Sequence, residues 1–551
     1  DYAVTFTSTT AYADYETAMA QLEIADSNLT KQQQAAETEY KAVTAEEEEI
    51  KKLVDAKKYF TINRARQYGK TTTLNALKLA LEDEYIVVNF SFERLTKSNF
   101  ASETSFVKAF CRLFKRNPKL YKILPDSIRE QIDDYITRIE EKAVLDELFF
   151  TLSTWCKTAD KPVVMMIDEV DSAANNQIFL DFLGLLRDSY ISRDTDDLPT
   201  FHSVILAGVT DIKHLKSKIR PEEEGKENSP WNISADFNID MSLSETGIKG
   251  MLDEYEADHH TGMDTAEMAS LIRSQTSGYP FLVSRICQLI DERVMQTVKP
   301  SEAWSREGFN AALRLLLAEN NTLFQTLTKN LNNFPRLRNA IRSILMEGTK
   351  LTYNSDQDDI VQMEMYGLIK NDHNTVRVAN VIFETRLYNL FLSDAELENN
   401  VFYNTGTLNK SRFIKDRRLD MIAVLNGFIE TYTQVFGPLE DRFKEKDGRE
   451  YFLLYLKPII NGTGNFYIEA QTRDQLRTDV IVDYLGEQFI IELKIWNGSA
   501  YNEKGQQQLC EYLERFGLKT GYMLTFNFNK EKEQGIKDVK IGDMTIHEAT
   551  L

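Results

Sequence analysis

One stretch limits the fold of this chain more than any other: "KKYFTINRARQYGKTTTLNALKLAL", residues 57–81. It reads as a short apolar strand, a polar turn and an amphipathic helix opening at Gly69-Lys70-Thr71. In that context backbone N–H groups at the helix N-terminus face phosphates, Lys70 adds a positive charge, and the Thr71 hydroxyl can ligate magnesium. The pattern GxxxxGK[ST] is incomplete, because Arg64 stands at the first glycine position. An arginine there removes the flexible backbone that closes over the β-phosphate, although its charge can partly compensate. A GKT alone is a weak signal. It is strengthened by "KPVVMMIDEVDS" (161–172), an apolar strand from Val163 to Ile167 that ends in Asp168-Glu169. An acid at a strand's C-terminal end can hold magnesium, and the next can orient water.

The neighbouring segments complete a βαβ series and predict an α/β fold with a parallel sheet. "EYIVVNFSF" (84–92) is a strand, residues 101–157 are mostly helical, and "FHSVILAGVTD" (201–211) is a further buried strand. Thr210, at the end of that last strand, either senses a γ-phosphate or belongs to a plain turn. "SGYPFLVSRICQLIDERV" (277–294) opens a helix after a Gly-Tyr-Pro turn. Arg285 on it either reaches nucleotide from a helical lid or is an ordinary surface arginine. Residues 333–396 follow the order helix, helix, hairpin, helix, which is a winged-helix order. The second of these helices carries Glu364 and neither lysine nor arginine, so packing is favoured there over DNA readout.

Near the C-terminus, "RTDVIVDYLGEQFIIELKIW" (477–496) predicts a hairpin. A turn on Gly486-Glu487 sets Asp479 opposite Lys494 and Ile481 opposite Glu492. Val480, Val482, Ile491 and Leu493 then share the core face, and the charged groups share the other. Asp479 and Glu492 there could share a magnesium ion, with Lys494 orienting or deprotonating a metal-activated water. Ionisable groups clustered on a half-buried sheet are costly unless a cation or partner compensates them. The strand "NFYIEAQT" (465–472), with Glu469, precedes the hairpin; "YNEKGQQQLCEYLERFG" and "GYMLTFNF" follow it, giving helix–β–β–β–α–β. Gln508 and Tyr512 sit four apart, on one helical face. Spacing alone leaves open a solvated charged face instead of a site.

Composition bounds the alternatives. A length of 551 residues suggests several domains, and 42% hydrophobic content indicates a globular chain. No uncharged apolar run approaches the ~20 residues of a membrane helix, and the first residues lack the features of a signal peptide. Four widely spaced cysteines fit reduced thiols, so a cytoplasmic protein is expected. The net charge of −20 argues mildly against coating nucleic acid, but residues 401–551 hold 22 acids against 20 bases. Residues 1–50 hold 11 acids against 2 lysines. Their apolar spacing (Leu22, Leu29, Ala36, Val43, Ile50) predicts a heptad-like helix with a weak seam. It is expected to pack on itself, on the body, or on a second chain or partner protein.

"NRARQYGKTTTL", "VVMMIDEVDS" and "SGYPFLVSR" together resemble the AAA-ATPase-like family of bacterial P-loop proteins, which usually carry a C-terminal nuclease-like domain. That family shares the missing first glycine. The resemblance implies ATP and Mg²⁺ as cofactors, with Arg64, Gly69, Lys70, Thr71, Asp168, Thr210 and Arg285 at the nucleotide and Glu169 in the catalytic role. Residues 400–551 resemble the PD-(D/E)xK nuclease superfamily. Asp479, Glu492 and Lys494 match its core triad, Gln508-x-x-x-Tyr512 matches the QxxxY motif of its RecB-type branch, and Glu469 matches an auxiliary acid. The expected domains are an N-terminal helix (1–56), an ATPase core (57–240), a helical lid (241–332), a winged-helix-like unit (333–398) and a restriction-endonuclease-like αβββαβ domain (399–551). The implied activity is Mg²⁺-dependent cleavage of nucleic acid, DNA first, gated by ATP and serving defence or DNA processing. The alternative is a nucleotide-dependent switch or scaffold whose nuclease-like domain only binds nucleic acid or protein.

Overall fold

The computed structural model describes residues 44–137, 144–174, 176–195, 199–209, 231–347, 349–397, 401–436, 445–460, 464–467, 480–485, 487–527, 529 and 533–551. Two compact units divide the chain: one holds residues up to Arg64, Tyr68–Met241 and Lys249–Ala257, and the other holds Ala65–Gln67, Ser242–Ile248 and Asp258–Leu551.

In the first unit a parallel sheet runs in the order β1 (Tyr59–Asn63), β4 (Ser203–Gly208), β3 (Val163–Asp168), β2 (Ile86–Ser91). Helix α2 (Lys70–Leu81) follows β1. Every residue of β3 and β4 is buried. That is why both read as continuous apolar runs with no alternation. Ala235 adds a parallel bridge to Phe60 beside β1. Helices α3 (Glu103–Lys115), α4 (Pro118–Ile123), α5 (Asp126–Thr137), α6 (Leu145–Thr158) and α7 (Gln177–Thr195) supply most of the rest of this unit. Its larger core is rich in aromatic residues: Phe90 lies edge-on to Phe110 and Phe114, and Phe106 to Phe182. Edge-to-face ring pairs of this kind add to the free energy of area burial.

A second cluster joins Ile50 and Val54, on α1 (Thr44–Asp55), to Leu74, Leu77 and Leu81 of α2. The described end of the expected N-terminal helix therefore uses its apolar seam on the body of the unit. Residues 1–43 lie outside the described residues.

The second unit begins with helices α8 (Thr265–Thr276), α9 (Pro280–Leu289), α10 (Arg306–Ala318) and α11 (Thr322–Asn333). The expected winged-helix order follows as α12 (Pro335–Glu347), α13 (Asp358–Met365), the hairpin β5 (Ile369–Asp372)–β6 (Thr375–Val378) and α14 (Val381–Leu397). Helices α15 (Val401–Phe413), α16 (Met421–Phe436) and α17 (Glu445–Ile460) lead to a six-stranded sheet. Its strands are β7 (Gly464–Tyr467), β8 (Val480–Tyr484), β9 (Glu487–Ile495), β10 (Thr520–Phe526), β11 (Gly535–Ile541) and β12 (Met544–Thr550), in the order β11-β12-β10-β9-β8-β7. Helix α18 (Ser499–Phe516) connects β9 to its parallel neighbour β10. The terminal hairpin β11–β12 goes beyond the expected αβββαβ core, and β12 runs parallel to β10.

The structure corrects the register of the β8–β9 hairpin. Tyr484 pairs with Glu487, so the turn lies between them, and Leu485 takes the left-handed conformation with φ 53. Ile481 therefore faces Ile490, not Glu492. Each partner moves by two positions, which preserves the faces, because the side-chain period is two. Val480, Val482, Ile491 and Leu493 all are buried, as expected. The opposite face is covered as well. Leu509, Tyr512 and Leu513 of α18 pack on Ile481, Ile490, Met523 and Ile546, so the charged side chains of that face do not lie on an open surface.

Candidate functional site

The loop after β1 has the features of a phosphate cradle. Gly69 caps α2 with φ 82 and ψ 3, a left-handed conformation in which a side chain would be strained. Lys70 is only 5% exposed, and its Nζ donates to the Arg64 carbonyl at 3.1 Å. The first-glycine position thus meets the lysine through its backbone. The Arg64 guanidinium donates to Ile239 O at 2.5 Å and lies over the Phe237 ring at 5.2 Å.

Thr71 Oγ1 donates to Asp168 Oδ2 at 2.6 Å, although 97 residues separate them. The start of α2 and the end of β3 thus place a hydroxyl and a carboxylate within the span of one octahedral cation's ligands. Glu169 adopts φ 54 and ψ 43. For a glutamate this is an uncommon, strained conformation of the kind that collects at functional sites. Sequence reading missed Asp171. Its Oδ2 accepts from Val209 N at 2.5 Å and ties the end of β3 to the end of β4. Thr210 lies outside the described residues.

Trp231 accounts for another stretch of sequence, "NSPWNI". Its indole is fully buried, donates to Thr61 Oγ1 at 2.8 Å and stacks on Tyr59, so it is a packing element under β1. In the second unit Tyr279, of the Gly-Tyr-Pro turn, donates to the Arg66 carbonyl. Arg285 pairs with Glu319, Nη2 to Oε1 at 2.5 Å, and that hydrogen bond raises the guanidinium pKa. Burial pushes the thiols of Cys111, Cys156 and Cys287 up to about 12, which keeps them in the unreactive protonated form.

On the C-terminal sheet, Glu492 is 1% exposed and Lys494 Nζ lies 2.8 Å from its Oε1. Strand β9 puts both on the face beneath α18, with Lys494 also over the Tyr501 ring at 5.8 Å. Two strands away on the same face is a carboxylate the sequence reading did not single out, Glu548 on β12. It is 1% exposed and is met by Asn502 Nδ2 at 2.7 Å and Gln506 Nε2 at 3.0 Å. The alternation of "KDVKIGDMTIHEAT" carried the signal for its strand, but a lone glutamate carried none for its role. On the same face, Asp483 is buried and pairs with Arg314 of α10 at 3.3 Å.

Asp479 and Glu469 lie outside the described residues. Among the described residues no group of three or more His, Cys, Asp or Glu side chains is placed to hold a metal. Gln508 is half-buried. Tyr512 is 2% exposed and its ring stacks on Phe516 within the core, because the helical face it shares is the face that covers the sheet.

The AAA-like domain family matches residues 31–394, more than half of the chain. The chain belongs to this family. Behind the AAA-like region, residues 465–539, which include most of the C-terminal sheet, match the PD-(D/E)XK nuclease superfamily. Comparison with curated protein sequences gives no match. Among solved structures, a Walker-type ATPase of Pyrococcus abyssi is similar with 14% identity and a TM-score of 0.41, over 63% of this chain and 95% of that one. The ORC1 protein of Aeropyrum pernix in complex with DNA is similar with 10% identity and a TM-score of 0.29, over 63% and 92%. The ORC2 protein of the same organism has 11% identity and a TM-score of 0.32, over 61% and 88%. No helix among the described residues is long and apolar enough to cross a membrane.

Proposed function

We propose that this AAA-like protein is an ATP-binding nuclease whose PD-(D/E)XK domain cleaves nucleic acid phosphodiester bonds with Mg²⁺, DNA being the expected substrate. The observation that carries the reading is the Glu492–Lys494 pair, 2.8 Å apart on one strand of the matched domain, with the carboxylate buried. A carboxylate held out of water beside a lysine fits a site for a divalent cation and a water to be deprotonated. Glu492, with Asp479, would hold the metal, which supplies Lewis-acid activation of the scissile phosphate. Lys494 would orient or deprotonate the attacking water.

In the AAA-like domain, Lys70 would meet the β- and γ-phosphates, Thr71 and Asp168 would hold Mg²⁺, and Glu169 would orient water. Arg285 and Thr210 remain proposed nucleotide sensors, with Gln508 a proposed nucleic-acid contact. A bacterial cytoplasm and a role in defence or DNA processing are the setting this reading implies.

The test is cleavage of single- and double-stranded DNA and RNA by the full chain, with and without Mg²⁺ and ATP. Asp479→Asn and Glu492→Gln are expected to eliminate cleavage while the fold is kept. Cleavage at the wild-type rate by either variant would reject the assignment. A second reading, a nucleotide-dependent switch whose nuclease-like domain only binds, is favoured by the arginine at position 64. It predicts a wild type that binds nucleic acid and ATP and cleaves nothing with Mg²⁺ or Mn²⁺.

A further inference from the structure

Glu548 is a buried charge that the triad does not use. It belongs to the same face of the sheet as Glu492: Glu492 pairs with Met523 across β9–β10, and Met523 pairs with Glu548 across β10–β12. The three side chains therefore form one cross-strand row beneath α18. Apolar residues dominate the surroundings, among them Met523, Leu509 and Ile546. A carboxylate in such a place is costly unless it is fully hydrogen-bonded.

Its partners supply that compensation. Oε1 accepts from Asn502 Nδ2 at 2.7 Å and Thr525 Oγ1 at 3.5 Å, and Oε2 accepts from Gln506 Nε2 at 3.0 Å. Lys537 Nζ, an exposed side chain of the edge strand β11, lies 3.4 Å from Oε2. Asn502 and Gln506 are themselves buried, at 5% and 8% exposure, and lie one turn apart on α18. One carboxylate thereby holds two successive turns of that helix through committed amide donors.

The same two turns touch Lys494. Tyr501 offers its ring to Nζ at 5.8 Å. Gly505 leaves room for the lysine stem, since a Cβ built there would stand 3.2 Å from Lys494 Cε. Residues 501 and 505 thus border the lysine, while residues 502 and 506, each one position on, are bolted to Glu548. A slide or rotation of α18 would move the wall along which Lys494 reaches Glu492. Buried polar groups can be retained for such specificity where an apolar side chain would pack as well.

We propose that Glu548 is a positioning residue: through Asn502 and Gln506 it sets α18 over Lys494 and so fixes the lysine ammonium at the Glu492 carboxylate. The inference rests on the nuclease reading for its catalytic consequence, but its geometric content stands apart from it.

The experiment uses the full chain with Glu548→Gln and the exchange Glu548→Gln/Gln506→Glu, which restores a carboxylate–amide hydrogen bond in the opposite sense. Misplacement by about an ångström typically costs on the order of 100-fold in rate. Glu548→Gln is therefore expected to lower kcat roughly 10- to 100-fold, with KM for DNA and the Mg²⁺ half-saturation unchanged, and the exchange to recover part of kcat. In parallel, ¹³C-methylated lysines are followed by NMR, with the Lys494 signal assigned by its loss in Lys494→Arg. That signal is expected to shift in Glu548→Gln and to return toward wild type in the exchange. An unmoved signal together with unchanged kcat at saturating substrate overturns the proposal, whatever the melting temperature does. A wild type that cleaves nothing, with a Lys494 signal that follows both variants, sinks the nuclease reading and leaves the positioning role standing.

Discussion

Replacing Lys494 by methionine separates a catalytic ion pair from a merely structural one. The substitution keeps the length and the apolar stem and removes only the cation that lies 2.8 Å from Glu492 Oε1. At an effective dielectric of about 20, a charge pair at 2.8 Å attracts by about 6 kcal/mol before desolvation is counted. Stranding one member of a buried pair costs ~3–5 kcal/mol in practice. Glu492 is only 1% exposed, so the metal-free variant should lose stability up to that range.

A divalent cation can then replace the lost charge. At a free concentration 100 times its Kd, a ligand that binds only the folded state returns about 2.7 kcal/mol. For a region of 150–250 residues that is a rise of roughly 5–10 °C in Tm. Wild type should gain less, because Lys494 already neutralises the carboxylate. The assay is calorimetric unfolding of both proteins in EDTA and in Mg²⁺, with nuclease activity measured on the same samples. The expected result is an inactive variant with a larger Mg²⁺-dependent rise in Tm than wild type. The reasoning fails if the destabilisation is the same in both buffers, or if the variant cleaves as fast as wild type.

Three further outcomes can be checked directly. Lys70→Ala should abolish ATP binding by isothermal calorimetry, since it removes the lysine cation directed at the phosphates; unchanged affinity would reject the phosphate-loop reading. Glu169→Gln should bind ATP as wild type does and release no phosphate in a coupled assay; a wild type that itself releases none makes the AAA-like domain a switch. Tyr512→Ala should cost ~3–5 kcal/mol of stability by chemical denaturation, because its ring is buried. Gln508→Ala, half-buried, should stay within ~0.5 kcal/mol and weaken nucleic-acid binding instead. Equal effects on stability would undo that distinction.

What the sequence made legible follows from how local each signal is. The strand–Gly69-Lys70–helix unit and the β3 acids are written in contiguous residues, and the helix, hairpin and helix of residues 335–397 likewise. The hairpin register was misread because the turn was centred on Gly486-Glu487, one residue late. Leu485 takes a positive φ of 53, and no propensity rule points to a leucine there. The face assignment survived that error, since two positions are a whole strand period. Tertiary cover was not legible. Nothing in "NEKGQQQLCEY" distinguishes a helix lying on the charged face from one beside it, so the burial of Glu492 and Tyr512 and the role of Glu548 came only from packing. Trp231 and Asp171 were equally hidden, because their partners Thr61 and Val209 are 170 and 38 residues away in sequence.

The Arg314–Asp483 pair bears on how this chain can be dissected in the laboratory and how its parts can be exchanged between proteins. Asp483 sits on β8 at 0% exposure, and its cation comes from α10, about a hundred and seventy residues upstream. A fragment cut at residue 399 would keep the carboxylate and discard the arginine. Such a fragment would begin without one partner of that carboxylate and lose up to ~3–5 kcal/mol, a large part of what a single domain has in reserve. Poor expression of an excised C-terminal piece would then report a missing counter-ion and not an inability of the sheet to fold. Asp483→Leu is the change that should rescue it, and a graft onto another AAA-like partner needs an arginine at the position of Arg314.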